Sequence, residues 1–378
     1  MLCIRNGRVM DPARGVDRVE DLYIRNSRIV PPPEEAVPEL DEIDAGGCLV
    51  LPGLIDFHAH MAHGHTDFGI QPDVMTFPNG VTSAVDPGST GSANFEGFYK
   101  DVVCASGTTI KSFVNVAAMG VSTARYVENL DPAFYDISRL EYLFERYSEN
   151  LLGLKLRIGK LHSAGLGIGP LLRTGEIARS LNTAMCVHVV YPESPYEEIL
   201  SYFERGDILC HCFQSKGEHT ILDGRGKVRS AVRRARERGV VFDAAYGRTL
   251  HNYAVIAKAL ADGFMPDVVS TDLTLQGIYM RKPYSLLYVL ASFLALGAPL
   301  MEVLRAVTDT PARLMGMEGQ IGTLAPGAAA DIGIFSLREK KTVFVDDFGN
   351  EVTGNRILVP LLTVKAGRVV FRQADFTF

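Results

Sequence analysis

Between residues 49 and 321, apolar strand-length runs alternate with amphipathic helical stretches, and this alternation restricts the possible folds more than any other feature. The runs at 49–57, 81–86, 109–116, 153–157, 184–189, 207–211, 240–244 and 268–271 read as strands. Helical periodicity fills 139–149, 171–181, 195–205, 228–238 and 252–262, and 286–296 and 301–307 follow the last strand. Apolar strands separated by amphipathic helices predict a parallel sheet covered by helices. Eight such units fit a closed (β/α)8 barrel, typically about 250 residues long. An open doubly wound sheet is the alternative, but no glycine-rich dinucleotide fingerprint follows the first strand. The expected fold class is therefore α/β, a TIM-like barrel.

The two ends carry another signal. LCIRNGRV at 2–9, LYIRNSRIV at 22–30 and LTVKAGRVVF at 362–371 are strand–turn–strand patterns, and DIGIF at 331–335 adds a strand after the APG turn at 325–327. An isolated hairpin is marginal, so hairpins from both ends are expected to pair into one small β-sandwich. Pro31, Pro32, Pro33 and Pro38 mark a loop before the central domain. The expected plan is a sandwich built from 1–48 and 322–378 around a barrel at 49–321.

Catalytic groups of such barrels lie at the C-terminal ends of strands. Six side chains fall there: His58 and His60 after the first strand, Lys155 near the end of the fourth, His188 at the fifth, His211 at the sixth and Asp272 at the eighth. Residues i and i+2 of a strand share a face, so both imidazoles of His58 and His60 leave on one side, as a divalent ion requires. Together the six predict a binuclear centre with ions about 3.5–4 Å apart, one held by His58, His60 and Asp272 and the other by His188 and His211. An ammonium repels metal, but burial lowers a lysine's pKa, and a neutral Lys155 amine adds CO2 to become a bridging carbamate. Two ions sharing one hydroxide supply a nucleophile at neutral pH, and Asp272 then serves as general base and acid in amide or ester hydrolysis. Cys210 and Cys212 flank His211, yet strand alternation points both thiols away from its side.

Composition excludes several classes. A formal charge of -6 speaks against nucleic-acid and anionic-membrane partners. The first residues, MLCIRNG, lack the basic flank and long apolar stretch of a signal peptide. The apolar run at 286–300 is interrupted by Ser292 and closed by Gly297 and Pro299, so it reads as a buried helix too short to span a bilayer. Cys3, Cys48, Cys104, Cys186, Cys210 and Cys212 are dispersed, as reduced core thiols of a cytoplasmic protein would be.

The motif PGLIDFHAH at 52–60, with Lys155, His188, His211 and the STD of 270–272, resembles the amidohydrolase superfamily. The branch it resembles contains dihydroorotases, hydantoinases and related deacetylases with a carboxylated lysine. GVTSAVDPGSTGSANFEGF at 80–98, CHCF at 210–213 and GVVFDA at 239–244 resemble its amidohydrolase/deacetylase subgroup. The resemblance covers nearly the whole chain and implies two divalent ions, zinc by family habit, and assembly into a homo-oligomer. Dihydroorotase-like sites place an arginine two residues after the paired histidines; this chain has Ala62 there, which argues against dihydroorotase activity. Deaminases of the superfamily generally use one metal and lack the bridging lysine, so Lys155 argues against adenine deamination. The expected reaction is deacetylase-like hydrolysis of a small N-acyl amino acid or O-acyl hydroxy acid. Cyclic amide opening is the alternative. A non-catalytic scaffold would tend to lack ligands that are all present here. Candidates for gripping substrate are His65 (with His63 in the same loop), Asn94, Arg157, Tyr191 and Arg248.

Overall fold

A computed structural model describes residues 1–35, 40–163, 165–280 and 282–376; Pro38 lies outside them. Seven parallel strands follow one another around the barrel: β1 (Leu54–Asp56), β2 (Val81–Asp86), β3 (Thr109–Asn115), β4 (Leu151–Ile158), β5 (Ala184–Val189), β6 (Ile208–Cys210) and β7 (Val241–Asp243). Every residue of β2 is buried, as a strand with helices outside and a packed barrel inside must be. Ile55, Phe57, Val85, Phe113, Cys186, Ile208 and Val268 form one cluster within the barrel, while the outward residues join a larger one with the helices.

The eighth segment closes the ring without becoming a regular strand. Val268 bridges Asp243 and Leu273 bridges Ala59, both in parallel. Ala244 N donates to Val268 O at 3.0 Å, and Asp272 N donates to His58 O at 2.7 Å, so the segment is tied to both edges. The expected strand at 268–271 is reduced to an isolated bridge at Val268, and Asp272 just beyond it takes a left-handed φ of 52°.

Helices arise where caps meet amphipathic runs. Asp136 accepts from Arg139 N to start Ile137–Arg146, Asn252 accepts from Ala254 N and Val255 N to start Tyr253–Ala261, and Ser285 accepts from Tyr288 N to start Leu286–Ala295. The helix expected at 195–205 is shorter: Tyr196–Ile199, followed by a 3-10 turn at Leu200–Tyr202. No described helix is long and apolar enough to cross a membrane.

Both chain ends combine into two further sheets around Ile4, Val9, Ile24, Val50, Ile332 and Leu362. Two details differ from the sequence pattern. Leu2–Arg5 and Arg8–Asp11 are not a hairpin but enter different sheets; Gly7 between them packs where a Cβ would lie 2.3 Å from Val50. The apolar run at 49–57 is two strands. Leu49–Pro52 pairs with Ile332–Val345 and Arg8–Asp11, and only Leu54–Asp56 enters the barrel. The switch occurs at Gly53, where a Cβ would stand 2.2 Å from Thr82 Oγ1.

Candidate metal centre

His58 and His60 emerge just beyond β1 and converge on one carboxylate. Asp272 Oδ1 lies 3.6 Å from His58 Nε2 and 3.2 Å from His60 Nε2. Their other ring nitrogens are held from behind. His58 Nδ1 is 3.1 Å from Asp243 Oδ2, and Asp243 also accepts from Ser270 Oγ at 2.6 Å and Ala245 N at 2.9 Å. His60 Nδ1 donates to Ser89 Oγ at 2.7 Å, and that hydroxyl donates onward to Asp86 Oδ2 at 2.7 Å. Such partners fix the tautomer that leaves each Nε2 lone pair free for a cation. Asp56 accepts from Thr271 Oγ1 at 2.6 Å and Thr271 N at 3.1 Å, which pins the eighth segment against β1. Burial pushes the Asp56 carboxyl up to about 7.

The second pair lies alongside. The rings of His188 and His211 are 4.3 Å apart, and those of His58 and His211 are 5.5 Å apart. His211 Nδ1 donates to Ala245 O at 2.6 Å. The Nε2 atoms of His188 and His211 are buried and have no hydrogen-bond partner, a rare state for interior polar atoms. Burial above all, then the neighbouring His211 and His162, holds His188 well below the usual imidazole pKa. Burial does the same to His211. Both are neutral, the form that binds metal.

His211 adopts φ 60°, which breaks strand alternation at this point. The expectation that Cys210 turns away from the His211 side is therefore corrected: Cys210 Sγ lies 3.3 Å from Cys186 Sγ and 4.0 Å from Lys155 Nζ, inside the barrel. Cys212 does pack in the outer cluster.

Lys155 sits mid-strand on β4, 2% exposed. Room for it is made by Gly88 (φ 90°), where a Cβ would fall 2.4 Å from Lys155 Cβ. Burial was expected to neutralise its amine, but the net direction is the reverse. Burial does oppose the charge, yet the Cys186 and Cys210 sulfurs, then Asp272 and Asp243, together raise the amine above its usual pKa. Asp272 moves the other way. Burial pulls it up, but the hydrogen bond with His60 and the proximity of His58 and His211 hold it well below the usual carboxylate range.

The cluster fits a divalent cation. His58, His60 and Asp272 present ligand atoms within 4.8 Å of one another, and the partnerless His188 and His211 nitrogens extend that set. It opens into a cleft of about 320 Å³ whose walls come from Val121, residues 123–127, Leu161, His162, residues 248–250, Thr274 and Gln276. Arg157 lines the cleft but is engaged bidentately with the buried Glu128. Arg248 lines it and donates to Gln276. The other substrate candidates are not brought together there. His65 Nε2 is 3.4 Å from Asp101, and His63 is exposed in the same turn. Asn94 accepts from Gly91 N at 2.9 Å and donates to Met119 O at 3.2 Å, and Tyr191 lies under the Lys160 ammonium at 5.3 Å.

Sequence reasoning missed His162, Ser89, Asp86 and Asp243. His162 borders the cleft, its ring 4.9 Å from His188, with burial and then Arg157 lowering it to about 4. Asp86 and Asp243 end apolar strands, and that position was the available signal. Asp243→Ala removes the acceptor behind His58, and metal affinity is expected to fall about 10–100-fold, measured by competition with a chromophoric chelator.

A barrel whose C-terminal mouth gathers imidazoles and one carboxylate defines a hydrolase of the metal-using type. The amidohydrolase family profile matches residues 172–369. A deacetylase of Agrobacterium fabrum is 32% identical over 332 residues, covering 87% of this chain and 81% of the relative. Crystal structures of an adenine deaminase and a dihydroorotase align with TM-scores of 0.89 and 0.87 at 26% and 27% identity, over 98% of this chain and 99% and 98% of theirs. The chain belongs to the amidohydrolase family and is a hydrolase.

Proposed function

We propose that this chain hydrolyses the amide or ester bond of a small acylated acid, an N-acyl amino acid or an O-acyl hydroxy acid. His58, His60, His188, His211 and Asp272 would hold two divalent ions, zinc being the natural choice for this donor set, with a CO2-derived carbamate on Lys155 between them. The observation that carries the reading is the buried, partnerless Nε2 pair of His188 and His211 beside the His58–His60–Asp272 cluster. Bound ions supply an activated water and a Lewis acid for the scissile carbonyl. Asp272, kept ionised by its imidazole neighbours, takes the proton of the attacking water and returns it to the leaving nitrogen or oxygen. Lys155 faces the opposite demand, since its amine must lose a proton before it adds CO2. Cations loaded among His58, His188 and His211 would favour that loss by charge repulsion.

Arg248 and the exposed Arg125, both lining the cleft, supply positive charge for a substrate carboxylate, and Arg157 is fixed in the lining through Glu128. The likeness to a deacetylase supports an acyl substrate. In this reading the barrel expected at 49–321, less the strand Leu49–Pro52 that pairs with the terminal sheets, carries the chemistry, and that strand joins 1–48 and 322–378 in the supporting sandwich. Six free cysteines support a cytoplasmic, reducing setting. A homo-oligomer without nucleic-acid or membrane partners completes the proposal.

The test is metal analysis joined to a substrate screen. Purified protein is expected to carry about two divalent ions per chain, to release acetate from members of a panel of N-acetyl and O-acetyl acids, and to stop when a chelator strips it. Turnover of dihydroorotate, a hydantoin or adenine in place of those acids would overturn the substrate class. Hydrolysis that survives complete metal removal would overturn the centre itself.

A further inference from the structure

We propose that Cys186, Cys210 and His58 form a second cation site inside the barrel, specific for a thiophilic d10 ion such as Cd2+, Hg2+ or Cu+. It goes beyond the hydrolase reading and does not rest on it. Cys186 lies two residues before His188 on β5, so both side chains enter the barrel. Cys210 ends β6 immediately before His211. The two sulfurs are 3.3 Å apart, and no disulfide joins them. With an imidazole nitrogen of His58 they offer three buried ligand atoms, all within 4.8 Å of one another.

Position and chemistry both favour a cation. The Lys155 side chain already reaches the sulfurs, its Nζ 3.7 Å from Cys186 Sγ and 4.0 Å from Cys210 Sγ. Two thiolates are soft donors and the imidazole a borderline one, a set that favours soft ions over the hard cations that prefer oxygen. Binding releases the thiol protons. The donors at the mouth of the barrel are imidazoles and a carboxylate, a harder set. His58 is common to both sets, so an ion drawn down to the sulfurs takes His58 from the Asp272 cluster and displaces the Lys155 amine. A thiophilic ion therefore antagonises loading of the mouth from beneath.

The full chain, stripped of metal, kept reduced and carrying Cys104→Ala to remove the exposed thiol, is titrated with Cd2+ while sulfur-to-cadmium charge-transfer absorption is followed. One equivalent is expected to generate absorption of two thiolates, with about half left in Cys186→Ala or Cys210→Ala and none in the double variant, because only sulfur ligands produce the band. Folding of each variant is checked by circular dichroism. Where a variant fails that check, cadmium-113 resonance of the parent chain decides by separating sulfur from nitrogen and oxygen ligation. Absence of the band, its persistence in the folded double variant, or a resonance without sulfur ligation would overturn the site. The readout is sulfur ligation and not turnover, so its failure leaves the hydrolytic centre untouched, and failure of that centre leaves the band unchanged.

Discussion

Asp272→Asn is expected to lower turnover by about 10²–10⁴-fold, the range for loss of a positioned proton carrier, while retaining most of the bound metal. Asparagine keeps the shape of the side chain and one carbonyl oxygen toward His60 and His58, which lie 3.2 and 3.6 Å from Asp272 Oδ1. It also tolerates the φ of 52° at this position better than most residues, and the backbone bond from residue 272 N to His58 O survives. An amide cannot accept the proton of an attacking water and hand it on. Fold and ligand geometry are therefore preserved while proton transfer is lost. The measurement is kcat alongside metal content and a thermal melt of the same preparation. A kcat within a few-fold of the parent, with metal intact, would remove Asp272 from the proton-transfer role.

How much of this site is legible in the chain depends on whether a residue obeys a local period. The barrel is legible because β2 to β6 are short runs rich in apolar and β-branched residues between amphipathic helices, and tertiary packing agrees with that pattern. His58 and His60 are legible for the same reason, being two apart at the end of such a run. His211 directly follows β6 and Asp272 follows an eighth segment that forms only isolated bridges, but the direction of neither side chain is legible. Each takes a left-handed φ, and at His211 that turn sends two successive side chains, Cys210 and His211, to the same side. No alternation rule contains such a step. The proton affinity of Lys155 was likewise beyond the local sequence, because the sulfurs that raise it come from β5 and β6.

Loops mark the other boundary. Asn94 and Tyr191 are near strand ends in the chain, but loop direction has no period. Tyr191 takes φ 55° and packs where a Cβ on Gly217 would touch its ring. His65 turns toward Asp101 and away from the cleft. The strand switch at Gly53 is invisible for a similar reason. The residues on both sides are equally apolar, and only the partners they meet, Ile332–Val345 before it and Val81–Asp86 after it, differ.

Removing Lys155 tests the centre most severely. Lys155→Ala is expected to cost at least about 100-fold in activity, since in the proposed centre it removes a direct ligand and the loss of a mere supporting partner costs 10–100-fold. Metal content should fall with it. The substitution leaves a hollow beside Gly88, which has no side chain to fill the space. A short-chain carboxylic acid such as formate or propionate is small enough to enter and offers the two oxygens that a carbamate would have offered. Partial recovery of metal content and activity on adding such an acid is the expected signature of a bridging ligand. Lys155→Arg supplies the contrast: it keeps length and charge, but its guanidinium does not deprotonate and cannot take up CO2. It should remain inactive, and with its side chain in the hollow the added acid should not rescue it. Full activity of Lys155→Ala without added acid would defeat the bridging role. So would a parent chain that shows no carbamate carbon resonance after loading with zinc and carbon-13 bicarbonate.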